Sequence, residues 1–298
     1  MKTNMKRTFP LLAAAILLLV AACQDGTVDT IFTIHEKNGS TILCGSDKPL
    51  IIGFSDIENE MPAELFCGSY DDNLLDSLLP SGASRSAINV FMVIDSLHTV
   101  LFDAGLGSDK GGRLLAYMEE AGMEPKNVTD VCLTHLHADH IGGLLRDGQA
   151  TFPNATLHLS QEEYDAWDDN GPMAGSNGLW KQVLEAYQNR VVTFHDGDQL
   201  FDGMVVAHLA PGHTPGHTVY TVVNICLIAG DLIHAQDLQL DHPQFCARYD
   251  FDTALATATR IRILDEVRTN GQYLAGAHCY DHFINLHDRS EKETEDNN

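Results

Sequence analysis

Thr134-His135-Leu136-His137-Ala138-Asp139-His140-Ile141-Gly142-Gly143 is the stretch on which the reading of this chain turns. Four side chains able to bind a metal stand close together in it, directly after the strand-like run Asp130-Val131-Cys132-Leu133. Residues two apart at the end of a strand point to the same side, so His135 and His137 aim at one point. Asp139 and His140 fall where the chain turns into a helix, and aim at a neighbouring point. Without a cation, these groups in an apolar-flanked loop would pay for desolvation and mutual repulsion with nothing to offset either. The segment therefore predicts two adjacent metal sites.

Working outward, residues 86–94 and 99–102 are β-rich runs separated by a polar turn and predict a hairpin ending at Asp103-Ala104-Gly105. Leu114, Leu115, Met118 and Ala121 recur at helical spacing and predict a helix over 113–121 that stops at Gly122. Further on, 191–194, 205–209 and 220–229 read as strands, each leading into a loop rich in His, Asp, Gly or Pro. Residues 252–271 predict a helix capped by Asp252, with Leu255, Ala258, Ile261, Leu264 and Val267 as its apolar positions. A last strand over 273–277 delivers His278. Pro211-Gly212-His213-Thr214 is followed by its own copy at 215–218, a local duplication. Before about residue 80 the chain reads as short strands and loops, clearest at 31–34 and 50–52. Such a mixed order of strands and helices, with polar clusters at strand ends, is that of an α/β domain.

At the N-terminus, Lys2, Lys6 and Arg7 precede an apolar run over 11–20 and then Ala21-Ala22-Cys23. The run is short for a membrane span of about 20 residues, and the pattern is that of a signal peptide, 1–22, with a lipoprotein cleavage box. Acylated Cys23 would then anchor the domain, 23–298, to a bacterial membrane on its exported side. The formal charge is −24, and loss of the three signal cations leaves −27. Such a surface repels polyanions, so nucleic acid is not an expected partner. The tail from about 290 is polar and charged and predicts disorder. Of the six cysteines after Cys23, none makes a Cys-x-x-Cys motif; Cys132 and Cys226 read as buried thiols, and Cys44 with Cys67 is the pair suspected of a disulfide.

The signature His-x-His-x-Asp-His at 135–140 resembles that of the metallo-β-lactamase superfamily. The likeness extends over about 84–285 through Leu101-Phe102-Asp103-Ala104-Gly105, the Pro-Gly-His-Thr loop, Ala229-Gly230-Asp231 and Ala275-Gly276-Ala277-His278. Gly230-Asp231-Leu232-Ile233-His234 and the segments after it look most like the methyl parathion hydrolase and lactonase-like branch. The resemblance implies a four-layer α/β/β/α sandwich with two divalent ions at one edge. His135, His137 and His213 would hold the first ion, Asp139, His140 and His278 the second, and Asp231 would bridge them. His213 is preferred to His217, His282 is the less favoured substitute for His278, and Asp103 would support the metal loop. Imidazole and carboxylate donors without thiolate favour zinc, with manganese, iron or cobalt as other candidates.

The activity implied is dinuclear hydrolysis of a small neutral ester or lactone by metal-activated water. Quorum-quenching lactone cleavage is one form of it, and phosphotriester cleavage is the alternative. Asp139 would orient the water and return a proton, and His234, three residues after Asp231, would donate a hydrogen bond to the substrate oxyanion. Departure from the branch at Cys279-Tyr280-Asp281-His282 leaves one pocket wall open; Trp167, Trp180, Phe245, Tyr280 and Phe283 are candidate lining residues. His98, His195 and His287 read as surface residues, and His158 and His208 as core histidines. An aspartate at 231 disfavours a true β-lactamase, the charge a ribonuclease, and the length a flavin-linked di-iron reductase. A non-catalytic metal- or ligand-binding lipoprotein is the reading from another class, and a homodimer is an assembly the sequence leaves open.

Overall fold

The run from Ile88 to Ile94 is buried at every position, which is what a strand covered on both faces requires. Its side chains alternate between two cores. Val90 and Met92 face one, and Phe91 and Val93 face the other. The structure, a computed structural model, describes residues 33–37, 40–45, 48–68 and 72–286. The expected signal peptide, Cys23, His287 and the polar tail lie outside the described residues.

Eight strands cross the first sheet in chain order: β1 (Thr33–Lys37), β2 (Ser40–Cys44), β3 (Leu50–Pro62), β4 (Ala83–Ile94), β5 (Thr99–Phe102), β6 (Asp130–Cys132), β7 (Thr156–Ser160) and β8 (Val191–Phe194). The pairs from β1 to β5 are antiparallel and those from β5 to β8 parallel. The second sheet likewise follows the chain: β9 (Gln199–Leu200), β10 (Val205–Leu209), β11 (Thr218–Val222), β12 (Cys226–Gly230), β13 (Tyr273–Gly276) and β14 (Ile284–Asn285). In it only β12 and β13 are parallel.

Seven α-helices accompany the two sheets among the described residues: α1 (Asp72–Leu78), α2 (Leu114–Glu120), α3 (Ala138–Ile141), α4 (Gln161–Ala166), α5 (Gly178–Tyr187), α6 (Gln236–Gln239) and α7 (Thr253–Asn270). One core joins the outer face of the first sheet to Leu114, Tyr117 and Met118 of α2 and Trp180, Val183 and Tyr187 of α5. A second lies between the sheets, where Phe91, Val100 and Phe102 meet Val205, Tyr220 and Ile228. The third seats Ile263, Leu264 and Val267 of α7 on Val219, Leu227 and Leu274. Helices, sheet, sheet and helix thus stack as the α/β/β/α sandwich that the resemblance implied.

Some expectations need correction. Residues 220–229 form two strands, because the chain reverses at Val223 and Asn224, both with positive φ (43° and 58°); the asparagine was the turn signal inside an otherwise apolar run. Helix α7 is capped by Asp252, which accepts from Leu255 N at 2.9 Å, and ends at left-handed Gly271. Its buried face is Ala256, Thr259, Arg260, Ile263, Leu264 and Val267, whereas Leu255 and Ile261 are exposed. A three-residue spacing drifts off one side of a helix that turns every 3.6 residues. Strand β3 is paired with β4 along its whole length, so residues 50–62 form one long strand of the first sheet where short strands and loops were expected. Cys67 is a free thiol, so the suspected Cys44–Cys67 pair does not form.

Candidate metal centre

Four strands end at one edge and carry the site. Strand β5 leads to Asp103, β6 to His135, β12 to Asp231 and β13 to His278. Asp103, at a φ of 60°, accepts from Thr134 N, Thr134 Oγ1 and His140 Nδ1, each at 2.8 Å. This fixes the metal loop from below, as expected. His278 Nδ1 donates to Ala87 O at 2.7 Å and His213 Nδ1 to Asp250 Oδ1 at 2.8 Å. An imidazole that spends its Nδ1 proton this way turns its Nε2 lone pair inward.

Two donor sets result. His135 Nε2 and His213 Nε2 each lie 2.9 Å from His137 Nδ1, and Asp231 Oδ2 lies 3.2 Å from His213 Nε2 and 3.8 Å from His135 Nε2. In the second set, His140 Nε2 is 2.9 Å from Asp231 Oδ1 and 3.7 Å from Asp139 Oδ2, which is 3.6 Å from His278 Nε2. A tetrahedral zinc site with bonds of about 2.0–2.1 Å has donor–donor edges of about 3.3 Å, and these separations bracket that value. Asp231 stands between the sets, its Oδ2 also 3.2 Å from His278 Nε2. His140 Nε2 and Asp231 Oδ1 are buried without a hydrogen-bond partner, as donors awaiting a cation would be. All seven expected ligands therefore come together in a geometry that fits two divalent ions.

The electrostatics agree. Burial, reinforced by the charge of His213, pushes His137 down to about 4. Burial would also lower His213, but Asp231 and Asp250 outweigh it and raise that ring to about 9. For Asp231, burial opposes ionisation, yet His140 and His278 lead the histidines that hold it well below the carboxylate range. Without metal, protons occupy sites whose lone pairs a cation needs, so uptake of metal releases protons.

Side chains beyond the ligands hold the loops. Buried Glu163 accepts from Leu136 N at 3.1 Å, Trp167 Nε1 at 2.7 Å, Thr214 Oγ1 at 2.7 Å and Gly216 N at 3.0 Å, tying the two histidine loops together. In sequence, Ser160-x-x-Glu163 reads as a helix cap, and Ser160 does accept from Glu163 N; the carboxylate itself is used elsewhere. The doubled Pro-Gly-His-Thr loop also has a packing reason. A Cβ at Gly212 would meet Ala256 N at 2.3 Å, and one at Gly216 would meet Glu163 N at 2.0 Å. Behind His213, Asp250 also accepts from Ala247 N at 3.0 Å and lies 3.7 Å from Arg260 Nη2. Arg260 is buried and donates to Leu232 O, Pro243 O and Phe245 O. Nothing in the sequence marked the roles of Glu163, Asp250 or Arg260 at the site, because each acts across contacts between distant segments.

The other histidines sort as follows. His217 is no ligand: its Nε2 accepts from Asp231 N at 3.0 Å and its Nδ1 donates to Ala210 O. His282 lies between Thr41 Oγ1 and Ser55 Oγ, remote from the donor sets. His158 pairs with Asp130 at 2.8 Å, whereas His208 is exposed, not core. His234 departs from its expected role. It is fully buried, with Nε2 3.3 Å from Asp231 Oδ2 and its ring stacked on His278. It does not reach the open cavity and so is not placed to donate to a substrate.

That cavity, ≈ 460 Å³, is lined by His137, Asp139, Asp231 and His278 on the metal side, with Met61 and Tyr249 among the facing residues. Tyr249 covers His234, ring centroids 5.1 Å apart. None of Trp167, Trp180, Phe245, Tyr280 or Phe283 lines it. Trp167 instead packs against His137 from behind, at 5.6 Å.

Comparison with known proteins places this geometry in context. Residues 83–293 match the family model described as Metallo-beta-lactamase superfamily. The chain is 29% identical over 152 residues to the uncharacterized Bacillus subtilis protein YobT, covering 48% of this chain and 61% of YobT. It is 30% identical over 112 residues to the N-acyl homoserine lactonase AttM of Azorhizobium caulinodans, covering 36% of this chain and 41% of AttM. The matches thus span less than two thirds of these curated relatives. Among solved structures, the hydrolase AbOPH of the beta lactamase superfamily superposes with a TM-score of 0.72 at 26% identity, covering 87% of this chain and 94% of that one. AidC, a dizinc quorum-quenching lactonase, gives 0.68 at 23% identity over 85% and 92%; at that identity the likeness is one of fold.

Proposed function

The chain belongs to the metallo-β-lactamase superfamily, and from that premise we propose that it is a dinuclear metal-dependent hydrolase of neutral carboxylic esters or lactones. The observation that carries this reading is Asp231, whose carboxylate stands between two histidine-rich donor sets beneath an open cavity, with Oδ2 facing His213 and His278 and Oδ1 facing His140. His135, His137 and His213 would hold one ion, Asp139, His140 and His278 the other, and the donor chemistry favours zinc. When bound, the ions supply Lewis acidity and make water a nucleophile near neutral pH.

The protein's own residues do the rest. Asp139 is the ligand whose side chain stays 30% exposed while lining the cavity. It is placed to orient the attacking water and to hand its proton to the leaving oxygen. Met61, Leu65 and Tyr249 give the facing wall an apolar character, and no lysine or arginine lines the cavity among the described residues. Such a pocket favours neutral, partly apolar substrates, as does the overall charge of −24. Cleavage of N-acyl homoserine lactones, named for AttM and AidC, is the form of lactone hydrolysis that these relatives suggest. The same reading keeps the N-terminal expectation, a domain held by an acylated Cys23 on the exported side of a bacterial membrane.

The test is a hydrolysis panel of lactones, esters and paraoxon-like triesters on metal-replete protein lacking the signal peptide. Lactones or esters should be the better substrates. Triesters turned over far faster than any carbonyl substrate would make this a phosphotriesterase. A metal-loaded protein inert on the whole panel would make it a binding protein.

A further inference from the structure

Phe66–Cys67 and Cys246–Ala247 pair as a short antiparallel ribbon in which Cys67 and Cys246 stand directly opposite. Opposed residues in such a pair lie about 4.5–5.5 Å apart at Cα and project from the same face, within the window of about 4.4–6.8 Å that a disulfide spans. Both thiols are free, Cys67 half-buried and Cys246 buried, and Cys246 is close enough to Cys67 to perturb its thiol. Cys246 also contacts Thr257 Oγ1 at 2.9 Å and Thr253 O at 3.3 Å at the start of α7. The ribbon joins two remote parts of the chain across a small core of Met61, Phe66, Leu238, Phe245 and Ala247. One turn beyond Cys246 come Tyr249, on the cavity wall, and Asp250, behind His213.

We propose that Cys67 and Cys246 form a reversible disulfide under oxidising conditions, stapling the segment that carries Tyr249 and Asp250 to the segment after β3. The oxidant is a low-molecular-weight disulfide such as oxidised glutathione. Cys67 loses its proton to solvent and its thiolate attacks the external sulfur–sulfur bond, releasing one glutathione thiolate. Deprotonated Cys246 then attacks Cys67 Sγ in the mixed disulfide and expels the second. Two cysteines lose two protons and two electrons, and the external disulfide is reduced to two thiols. Cys67 is the entry point because it is the more exposed of the pair. Burial, with Cys246 beside it, raises its pKa, so exchange is faster in mildly alkaline buffer.

The test uses the metal-replete chain treated with oxidised glutathione in such a buffer, then alkylated and mapped by mass spectrometry under non-reducing conditions. The expected product is a peptide linking Cys67 to Cys246, with a melting temperature raised by about 5 °C or more. Dithiothreitol should reverse the shift, and Cys67→Ser should abolish it. Recovery of Cys67 as a stable glutathione adduct with Cys246 still free would overturn the proposal. So would a linked product that melts no higher than the reduced protein. Neither outcome depends on which substrate the enzyme cleaves.

Discussion

Asp250→Asn isolates the contribution of a side chain that never touches the metals. In the native protein one carboxylate oxygen accepts from His213 Nδ1 at 2.8 Å and the other from Ala247 N at 3.0 Å, with the Arg260 guanidinium 3.7 Å away. Asparagine has a single acceptor oxygen, so either His213 or Ala247 must face an amide N–H₂, and a charge-assisted bond of about 1.5–3 kcal/mol is lost. Loss of such a carboxylate behind a ligating histidine costs about 10–100-fold in metal affinity, or roughly 1.4–2.7 kcal/mol. Zinc competition against a calibrated chelator should therefore show weaker binding by that factor, led by the site containing His213. His282→Gln, remote from both donor sets, is the control that should leave zinc affinity unchanged. An Asp250→Asn protein that binds two zinc ions as tightly as the parent would refute the reasoning.

Three further outcomes are expected. Asp231→Ala should fail to retain either ion, whereas His217→Ala should keep two per chain by elemental analysis while losing about 1–3 kcal/mol of stability, because the Asp231 N–H is left buried without its acceptor. Glu163→Gln should lower the melting temperature and slow metal reloading, since at least the Gly216 N–H bond at 3.0 Å cannot be kept by an amide that must also serve Leu136 and Trp167; unchanged melting and reloading would remove Glu163 from its role as the tie between the two loops. The third concerns pH. Burial holds His282 at about 4 in the folded protein, below its unfolded value of about 6.5, so the unfolded chain takes up the proton first and stability falls as pH drops from about 6.5 toward 4, by up to about 3 kcal/mol for this residue. Denaturant titrations across that range should give a shallower pH slope for His282→Gln than for the parent, and identical slopes would sink the assignment.

How much of this was legible in the sequence depended on whether the information was local. The signature at 135–140 carries its geometry in its own spacing, and Asp231 and His278 follow strands whose apolar runs announce them. The hairpin over 86–102 was readable because its alternation and its polar turn are contiguous. Helix α7 showed its cap at Asp252, but its buried face includes Arg260 and Thr259, polar residues whose burial is explained by partners from other segments, among them Leu232 O and Pro211 O. His234 illustrates the limit most directly. Its position three residues after Asp231 suggested access to substrate, yet whether an imidazole faces a cavity or the back of a carboxylate is set by Tyr249, which sits over it from another segment. Glu163 was invisible for the same reason, since all that makes it important lies in partners from α4 and both histidine loops.

The burial of these groups links metal content to folding. Asp103, Asp231 and Asp250 are all buried around the site, and the cations facing them in the metal-free protein are mainly protonated histidines. Protonated His213 and His140 balance Asp231 and Asp103, but a ring that is protonated at both nitrogens has no lone pair left to coordinate. Two divalent ions would displace those protons and take over His140 Nε2 and Asp231 Oδ1, which lie 2.9 Å apart without forming a hydrogen bond in the protein alone. Their binding free energy is thereby also folding free energy. By mass action, free ligand at about 100 times its dissociation constant adds about 2.7 kcal/mol per site. Chelation should accordingly lower the melting temperature as well as the activity, and restored zinc should recover both. A chelated protein that loses its activity but melts at an unchanged temperature would show that the sandwich, and not the ions, holds the seven ligands in place.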